Sequence, residues 1–299
     1  TPAAEQRLTG GARKGDALYA RAEQALASGN VRAAVIDLQN LVKEEPDNVK
    51  ARTLLAMAFV QGGNVPAASI EVQKAKDLGG SPELVLVAEC AVLAAKGESD
   101  EVLTKCNPDL VKGDAKVQLQ ISQGQALLGL ERAADAKVIF QAALSAKPDS
   151  LNALVGLAVA VYETDGLPAA RKVLDQAPEA VRKQPAYWMT VGSLNSEGSD
   201  LVAAEQAYQS AVAAAGPEKE STERIMALGA LAEIQMMAGK VDEAAATSAE
   251  LMKAAPNNPR VKQLRGQIAA AGGDYEQAKT LLEEAVAAAP DNPEARLLL

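Results

Sequence analysis

The sequence predicts an all-α fold in which pairs of antiparallel helices repeat along the chain. Prolines recur at a spacing of ~34 residues or a multiple of it, so that Pro46 and Pro148, like Pro256 and Pro290, follow a helical pattern at the same point of the repeat. No stretch shows the apolar and polar alternation of a strand. Hydrophobic residues make up 48% of the 299 residues but aromatic residues only 3%, which indicates closely packed helices with many small side chains.

The clearest repeat lies between residues 185 and 217. Trp188, Val191 and Gly192 keep a W-x2-L-G spacing with Val in the Leu position, and Ala204 and Tyr208 follow with an A-x3-Y spacing. This order resembles the tetratricopeptide repeat. The resemblance implies a right-handed α-solenoid of helix-turn-helix repeats, since one hairpin cannot bury its own apolar face. We expect Gly192 and Ala204 at the helix crossing, with Trp188 and Tyr208 packed around it.

The repeats can be followed from the N terminus onward. Residues 1–14 are polar and contain Gly10 and Gly11, so we expect a flexible arm or cap there. Residues 15–218 hold six repeats in phase, which begin at Gly15, Val49, Glu83, Val117, Leu151 and Pro185.

The third of these repeats is predicted to be irregular. Pro108 falls inside its second helix, and proline removes a hydrogen-bond donor and clashes with the preceding turn. We therefore expect that helix to end near Lys105, with irregular structure from Asn107 to Asp114.

The phase of the repeats is interrupted after the sixth. The next repeat begins at Ile225, which indicates an inserted loop at residues 219–224 and a change of curvature just after Pro217. Residues 225–292 hold two further repeats, and residues 293–299 the first helix of a truncated ninth. Because a terminal repeat needs a polar outer face, the apolar ending leads us to expect that the natural protein continues.

Capping residues mark the predicted helix boundaries. Asn48, Ser150 and Asn258 offer side-chain oxygens just before first helices, where an unpaired backbone N–H needs an acceptor. The turns between paired helices carry glycines, which adopt the left-handed conformation without a steric penalty, at Gly29, Gly63, Gly239 and Gly273.

The tetratricopeptide resemblance also implies a binding surface. Such arrays present their first helices along a concave groove, with the second, fifth, ninth, twelfth and thirteenth residues of each repeat facing it. Five of the six methionines fall at these positions; they either adapt to a bound helix or extended peptide, or pack between repeats. The predicted groove residues are Tyr19, Met57, Val87, Ile121, Gln125, Asn152, Tyr162, Met189, Met226, Glu233, Met236 and Met237.

Cys90 and Cys106 are the two cysteines of the chain, and both fall at inward-facing positions of the third repeat. They are either two buried thiols or a disulfide that holds the helix interrupted at Pro108 in an oxidising compartment. Their spacing alone does not decide between these alternatives. Two cysteines without further ligands are too few for a structural zinc site.

The sequence carries no motif for catalysis, cofactor binding or metal binding. It contains no histidine, which removes the usual general base and the commonest metal ligand. Gly124-x4-Gly129 lacks the Lys-Ser/Thr of a phosphate loop. A net charge of −9 argues against a nucleic-acid partner, which needs a basic face, and no apolar run of about 18 residues predicts a membrane span. We predict that the chain is not an enzyme and needs no cofactor.

A second resemblance rests on residues 31–79. The stretch AAVIDLQNLVKEEPDN, followed by KARTLLA and KAKDLG, is similar to the opening repeats of bacterial tetratricopeptide lipoproteins of exosortase (PEP-CTERM) and exopolysaccharide systems. It implies a periplasmic protein, or one anchored in the outer membrane and facing the periplasm, with polysaccharide-secretion machinery as partner.

These observations predict a non-enzymatic scaffold that binds protein segments in its groove and assembles a bacterial envelope or exopolysaccharide export complex. The alternative is a cytoplasmic adaptor or assembly chaperone. Direct polysaccharide binding ranks below both, because 3% aromatic residues leave few rings on which sugars can stack.

Overall fold

The computed structural model describes residues 2–27, 29–217 and 221–289, with side chains from Lys14 onward. Within these ranges the chain forms α-helices and one short 3-10 turn, and no strand. The predicted all-α fold, a solenoid of helix-turn-helix repeats, is therefore confirmed. The helices in chain order are α1 (Pro2–Ala27), α2 (Val31–Glu44), α3 (Val49–Gln61), α4 (Val65–Asp77), α5 (Pro82–Lys96), α6 (Ser99–Lys105), α7 (Gly113–Gly129), α8 (Ala133–Ala146), α9 (Leu151–Asp165), α10 (Leu167–Leu174), α11 (Glu179–Arg182), α12 (Pro185–Glu197), α13 (Leu201–Ala214), α14 (Thr222–Met237), α15 (Val241–Ala254), α16 (Pro259–Ala271) and α17 (Tyr275–Ala288).

The helices pair as hairpins within two compact units, Thr1–Val181 and Arg182–Leu299. The described part of the N-terminal unit contains the hairpins α1–α2, α3–α4, α5–α6, α7–α8 and α9–α10, and that of the C-terminal unit contains α12–α13, α14–α15 and α16–α17. We call the earlier helix of each pair the first helix and the later one the second helix. The division between the units falls within α11, before the predicted insertion.

The first helices begin at or near the residues that the repeat spacing predicts. α3, α9 and α12 begin at Val49, Leu151 and Pro185, the expected first residues. α14 begins at Thr222, so the end of the predicted loop at residues 219–224 is helical. The start of that loop and the predicted ninth repeat at residues 293–299 lie outside the described residues.

The N-terminal segment differs from the prediction. Residues 1–14 were expected to form a flexible arm or cap, but α1 runs from Pro2 to Ala27 without a break. The segment contains Ala, Glu, Gln, Arg and Leu, which favour helix, and each glycine of the Gly10-Gly11 pair costs about 1 kcal/mol relative to alanine. That cost weakens a helix of this length and does not end it.

The third hairpin is irregular, as Pro108 predicts. α6 ends at Lys105, and a 3-10 turn follows at Pro108–Leu110, where the Asn107 side chain accepts a hydrogen bond of 2.9 Å from the backbone N–H of Asp109. Regular structure resumes at Gly113, slightly earlier than expected. The second helix of the fifth hairpin, α10, is also short and ends at Leu174, which the repeat pattern did not predict.

Large aromatic side chains pack against glycines at the helix crossings. Phe140 of α8 is fully buried, and a Cβ atom added to Gly124 or Gly156 would lie 2.5 or 2.3 Å from its ring. The rings thus occupy space that any other residue would fill, which explains why α7 and α9 carry glycine there.

The sixth hairpin uses the same packing. A Cβ atom on Gly192 would lie 2.5 Å from the ring of Tyr208, so the predicted contact between them is confirmed. Trp188 is only half-buried, and Tyr187 is the buried aromatic residue of this helix, at 4% exposure. The two rings meet edge to face with centroids 5.0 Å apart.

The predicted caps and turns are present at the helix ends. The side chains of Asn48, Ser150 and Asn258 accept hydrogen bonds from backbone N–H groups at 3.0, 3.3 and 3.0 Å. Four glycines adopt positive φ in the hairpin turns as expected: Gly29, Gly63, Gly239 and Gly273.

Candidate functional site

The first helices of the N-terminal unit line a cavity of about 390 Å³. Four predicted groove residues, Met57, Ile121, Gln125 and Asn152, lie on its wall, so α3, α7 and α9 bring these residues together. The full lining is Met57, Val60, Gln61, Ala91, Ala94, Ala95, Gln118, Ile121, Ser122, Gln125 and Asn152.

The polar groups of this cavity are neutral. Gln61, Gln118, Gln125 and Asn152 contribute four carboxamides, each of which both donates and accepts hydrogen bonds. Within the described part of the chain, none of the four makes a side-chain hydrogen bond to another residue, and none of the described lining residues is charged. The cavity therefore offers unused hydrogen-bonding capacity beside the apolar side chains of Met57, Val60 and Ile121.

Several lining residues were missed although their positions were available in the sequence. Gln61, Ala91, Ala94, Ala95 and Gln118 all fall at the groove positions that the tetratricopeptide resemblance implies. The sequence feature that identifies them is their shared position in successive repeats.

The other predicted groove residues of the N-terminal unit do not line this cavity. Tyr19 packs against the cluster around Ala22, where burial, and then Glu23, raises the pKa of its hydroxyl. Val87 packs against the cluster that contains Cys90. Tyr162 is half-buried on α9.

Cys90 and Cys106 are joined by a disulfide with an S–S distance of 2.06 Å and a Cα–Cα distance of 5.8 Å. It connects α5 to the residue that ends α6. Both cysteines are fully buried, in a cluster with Val102, Val111 and Leu119. The bond thus lies directly behind the helix that supplies the alanines of the cavity wall.

The first helices of the C-terminal unit present a different surface. Met226 and Met237 of α14 are 58% and 61% exposed, whereas Met189 and Met236 are half-buried against the hydrophobic clusters of this unit. Met57 of the N-terminal unit is likewise packed against a core cluster. The interpretation that methionines pack between repeats therefore holds for Met57, Met189 and Met236, and adaptation to a bound segment stays a prediction for Met226 and Met237.

Glu233 lies on the same helix between the two exposed methionines. Glu233 is exposed, yet neighbouring groups desolvate its carboxyl enough to raise the pKa. Burial first, and then the negative charges of Glu233 and Glu197, raise the pKa of the Tyr208 hydroxyl. Two carboxylates thus lie near this hydroxyl.

No group of three or more Cys, Asp or Glu residues in the described ranges is placed to hold a metal ion. None of the helices described is both long enough and apolar enough to cross a bilayer.

The sequence matches three models of the tetratricopeptide repeat, over residues 19–81, 127–194, 197–268 and 259–299. The chain is a tetratricopeptide repeat protein. The unmatched residues 82–126 contain the disulfide, the short α6 and the irregular segment after it, so this tetratricopeptide repeat protein departs from its family pattern where Pro108 interrupts a helix. No curated protein matches the sequence.

Solved structures share its fold. Yeast Tom70 superposes with a TM-score of 0.62 and 15% identity, over 89% of this chain and 58% of the Tom70 chain. The human IFIT1 dimer with PPP-AAAA superposes with a TM-score of 0.55 and 17% identity, over 93% of this chain and 64% of the IFIT1 chain. The chain thus spans less than two thirds of either protein. Family and fold together are those of a protein-interaction scaffold.

Proposed function

We propose that this tetratricopeptide repeat protein is a non-enzymatic scaffold that holds an extended segment of a partner protein against the cavity of its N-terminal unit. The four free carboxamides of the cavity carry the proposal. An extended chain leaves backbone N–H and C=O groups unpaired, and a carboxamide can pair with both. The alanines of α5 leave room for a backbone to approach, while Met57 and Ile121 contact side chains.

The neutral lining also supports a binding role over catalysis. A general acid or base must exchange a proton near the working pH, and carboxamide and thioether groups do not. Direct saccharide binding ranks lower, because no aromatic ring occurs among the described residues that line the cavity, and stacking on such rings is one way to bind a sugar.

For the cellular setting, we propose an oxidising compartment of the bacterial envelope, where the scaffold assembles an exopolysaccharide export complex. The Cys90–Cys106 bond supports this, because disulfides persist outside the reducing cytoplasm. The resemblance of residues 31–79 supports the export role. The competing role is a cytoplasmic adaptor or assembly chaperone.

Thiol labelling separates these two settings. Cells are quenched in acid, free thiols are blocked with a maleimide, and the intact mass of the protein is measured. We expect no added label on Cys90 or Cys106. Two labelled thiols in the protein from its host would contradict the envelope proposal and favour the cytoplasmic role.

The binding proposal is tested with a phage-displayed library of random peptides selected on the purified protein. Gln125→Glu keeps the size of the side chain and adds a charge that a backbone carbonyl disfavours. We expect it to weaken the binding of the selected peptides about tenfold, since a polar group left unpaired in the complex costs about 1–3 kcal/mol. The measurement is fluorescence anisotropy with synthetic versions of the peptides.

Gln141→Glu is the matched control, because Gln141 is exposed on the second helix α8 and outside the cavity. It should change the affinity less than twofold. Equal losses for both variants, or a library that yields no binder, would show that the cavity is not the binding site.

A further inference from the structure

Three side chains of α14 form a single stripe. Met226, Glu233 and Met237 are spaced by seven and four residues, which places them on one face of a helix of 3.6 residues per turn and spreads them over about 16 Å. Gly229 lies on the same face, and a Cβ atom there would meet no atom closer than 4.0 Å. The stripe is therefore open along its length.

Several carboxylates of the C-terminal unit are ion-paired, whereas Glu233 is not. Glu205 pairs with Lys240 at 2.6 Å, Glu284 pairs with Lys262 at 2.7 Å, and Glu250 pairs with Arg224. Glu233 makes no ion pair or hydrogen bond with any residue that the structure describes. Partial desolvation nevertheless raises the pKa of its carboxyl, and the negative charges of Glu233 and Glu197 both raise the pKa of the Tyr208 hydroxyl.

A cation from outside would match this surface. It would pair with a carboxylate that has already lost part of its hydration, so less desolvation remains to be overcome on binding. The exposed methionines on either side offer flexible thioethers that adapt to apolar side chains. Exposed methionine at both ends and a free carboxylate in the middle fit an amphipathic segment with a basic residue near its centre.

We propose that the α14 stripe binds a protein segment in which a lysine or arginine is flanked by apolar side chains. In this proposal Glu233 forms an ion pair with the cation, and Met226 and Met237 contact the apolar side chains. This inference goes beyond the proposed function, which concerns the cavity of the N-terminal unit, and names the chemistry of the segment that α14 of the C-terminal unit binds.

The test uses two fluorescein-labelled 16-residue peptides of leucine, alanine and one central charged residue, which is lysine in the first and glutamate in the second. Anisotropy is measured on the full chain at about 150 mM salt, where the field of distant charges is screened. We expect the lysine peptide to bind more tightly, and Glu233→Gln to weaken it about fivefold.

Glu283→Gln is the matched control, because Glu283 is exposed on α17 and its loss changes the net charge equally. It should change the affinity less than twofold. In parallel, methionine methyl NMR should show shifts at Met226 and Met237 on peptide addition, while Met252 of α15 stays unchanged.

Each outcome separates this inference from the proposed function. Equal losses for the two Glu variants would show non-specific attraction to an acidic protein and overturn the inference. Equal binding of the two peptides would also overturn it. If library peptides still depend on Gln125, the proposed function stands without the α14 stripe; if they do not, the proposed function fails by itself.

Discussion

The first helices of the two units carry different chemistry on the same repeat. In the N-terminal unit they line a neutral cavity with four free carboxamides, whereas in the C-terminal unit they carry four of the six methionines and the unpaired Glu233. The second helices behind them differ as well. In the N-terminal unit α6 and α10 have only 7 and 8 residues, while α2, α4 and α8 have 13 or 14. In the C-terminal unit α13, α15 and α17 have 14 each.

This comparison shows which positions of the repeat are constrained. Inward positions must fit a packed core, so Gly124, Gly156 and Gly192 accept a ring from another helix. Groove positions carry residues of several kinds: Met226 and Met237 are exposed, whereas Met57 packs against a core cluster. One fold can therefore select different partners along its length, while its stability depends on the other face.

The largest expected effect concerns the disulfide, which occurs in the unit with the shortened helices. Replacing Cys90 and Cys106 with alanine should cost the N-terminal unit about 3 kcal/mol, the value for opening a loop of this size, here 16 residues in separation. Hydrogen exchange read by mass spectrometry should speed up in peptides of α5 and α6. Peptides of α14 and α15 serve as the internal control, and an equal change there would remove the contrast between the units.

A second test compares a packed glycine with an open one. Gly156→Ala places a Cβ 2.3 Å from the Phe140 ring and should destabilise by about 1–3 kcal/mol, as overpacking does. Gly229→Ala meets nothing closer than 4.0 Å and should stabilise α14 by up to about 1 kcal/mol through helix propensity. Urea denaturation measures both. Similar midpoints for the two variants would show that the crossing is looser than the ring contact implies.

The smallest expected effect is the titration of Glu233. Desolvation raises its pKa, so its carboxyl carbon should titrate by NMR above the ordinary glutamate value of about 4.3. The folded state then binds the proton more readily than the unfolded state, and this contribution to stability is lost as pH rises through the folded pKa. Glu233→Gln should remove this dependence of the free energy of unfolding on pH. A Glu233 carboxyl that titrates at or below the ordinary value would mean that the α14 stripe is fully hydrated, and would weaken the contrast with the neutral cavity.

The sequence by itself determined the repeat register and many of the helix boundaries. The starts at Val49, Leu151 and Pro185 and the helix end at Lys105 follow from proline, glycine and capping residues, whose effects act over a few neighbouring residues. The groove positions are what the tetratricopeptide resemblance implies once this register is known. The helix at residues 2–14 did not follow from the sequence, because a glycine pair weakens a helix without necessarily ending it. The short α10 did not follow either, because the residues of this repeat keep the regular repeat spacing.

Only the tertiary structure decided which of these positions meet. The Cys90–Cys106 bond, the shared cavity of Gln61, Gln118, Gln125 and Asn152, and the burial of Tyr187 in place of Trp188 depend on how consecutive hairpins stack. Exposure of Met226 and Met237, with Met189 and Met236 packed inward, depends on it too. A periodic pattern specifies a face of each helix, whereas distance, desolvation and free hydrogen-bonding capacity arise only when the faces of several helices come together.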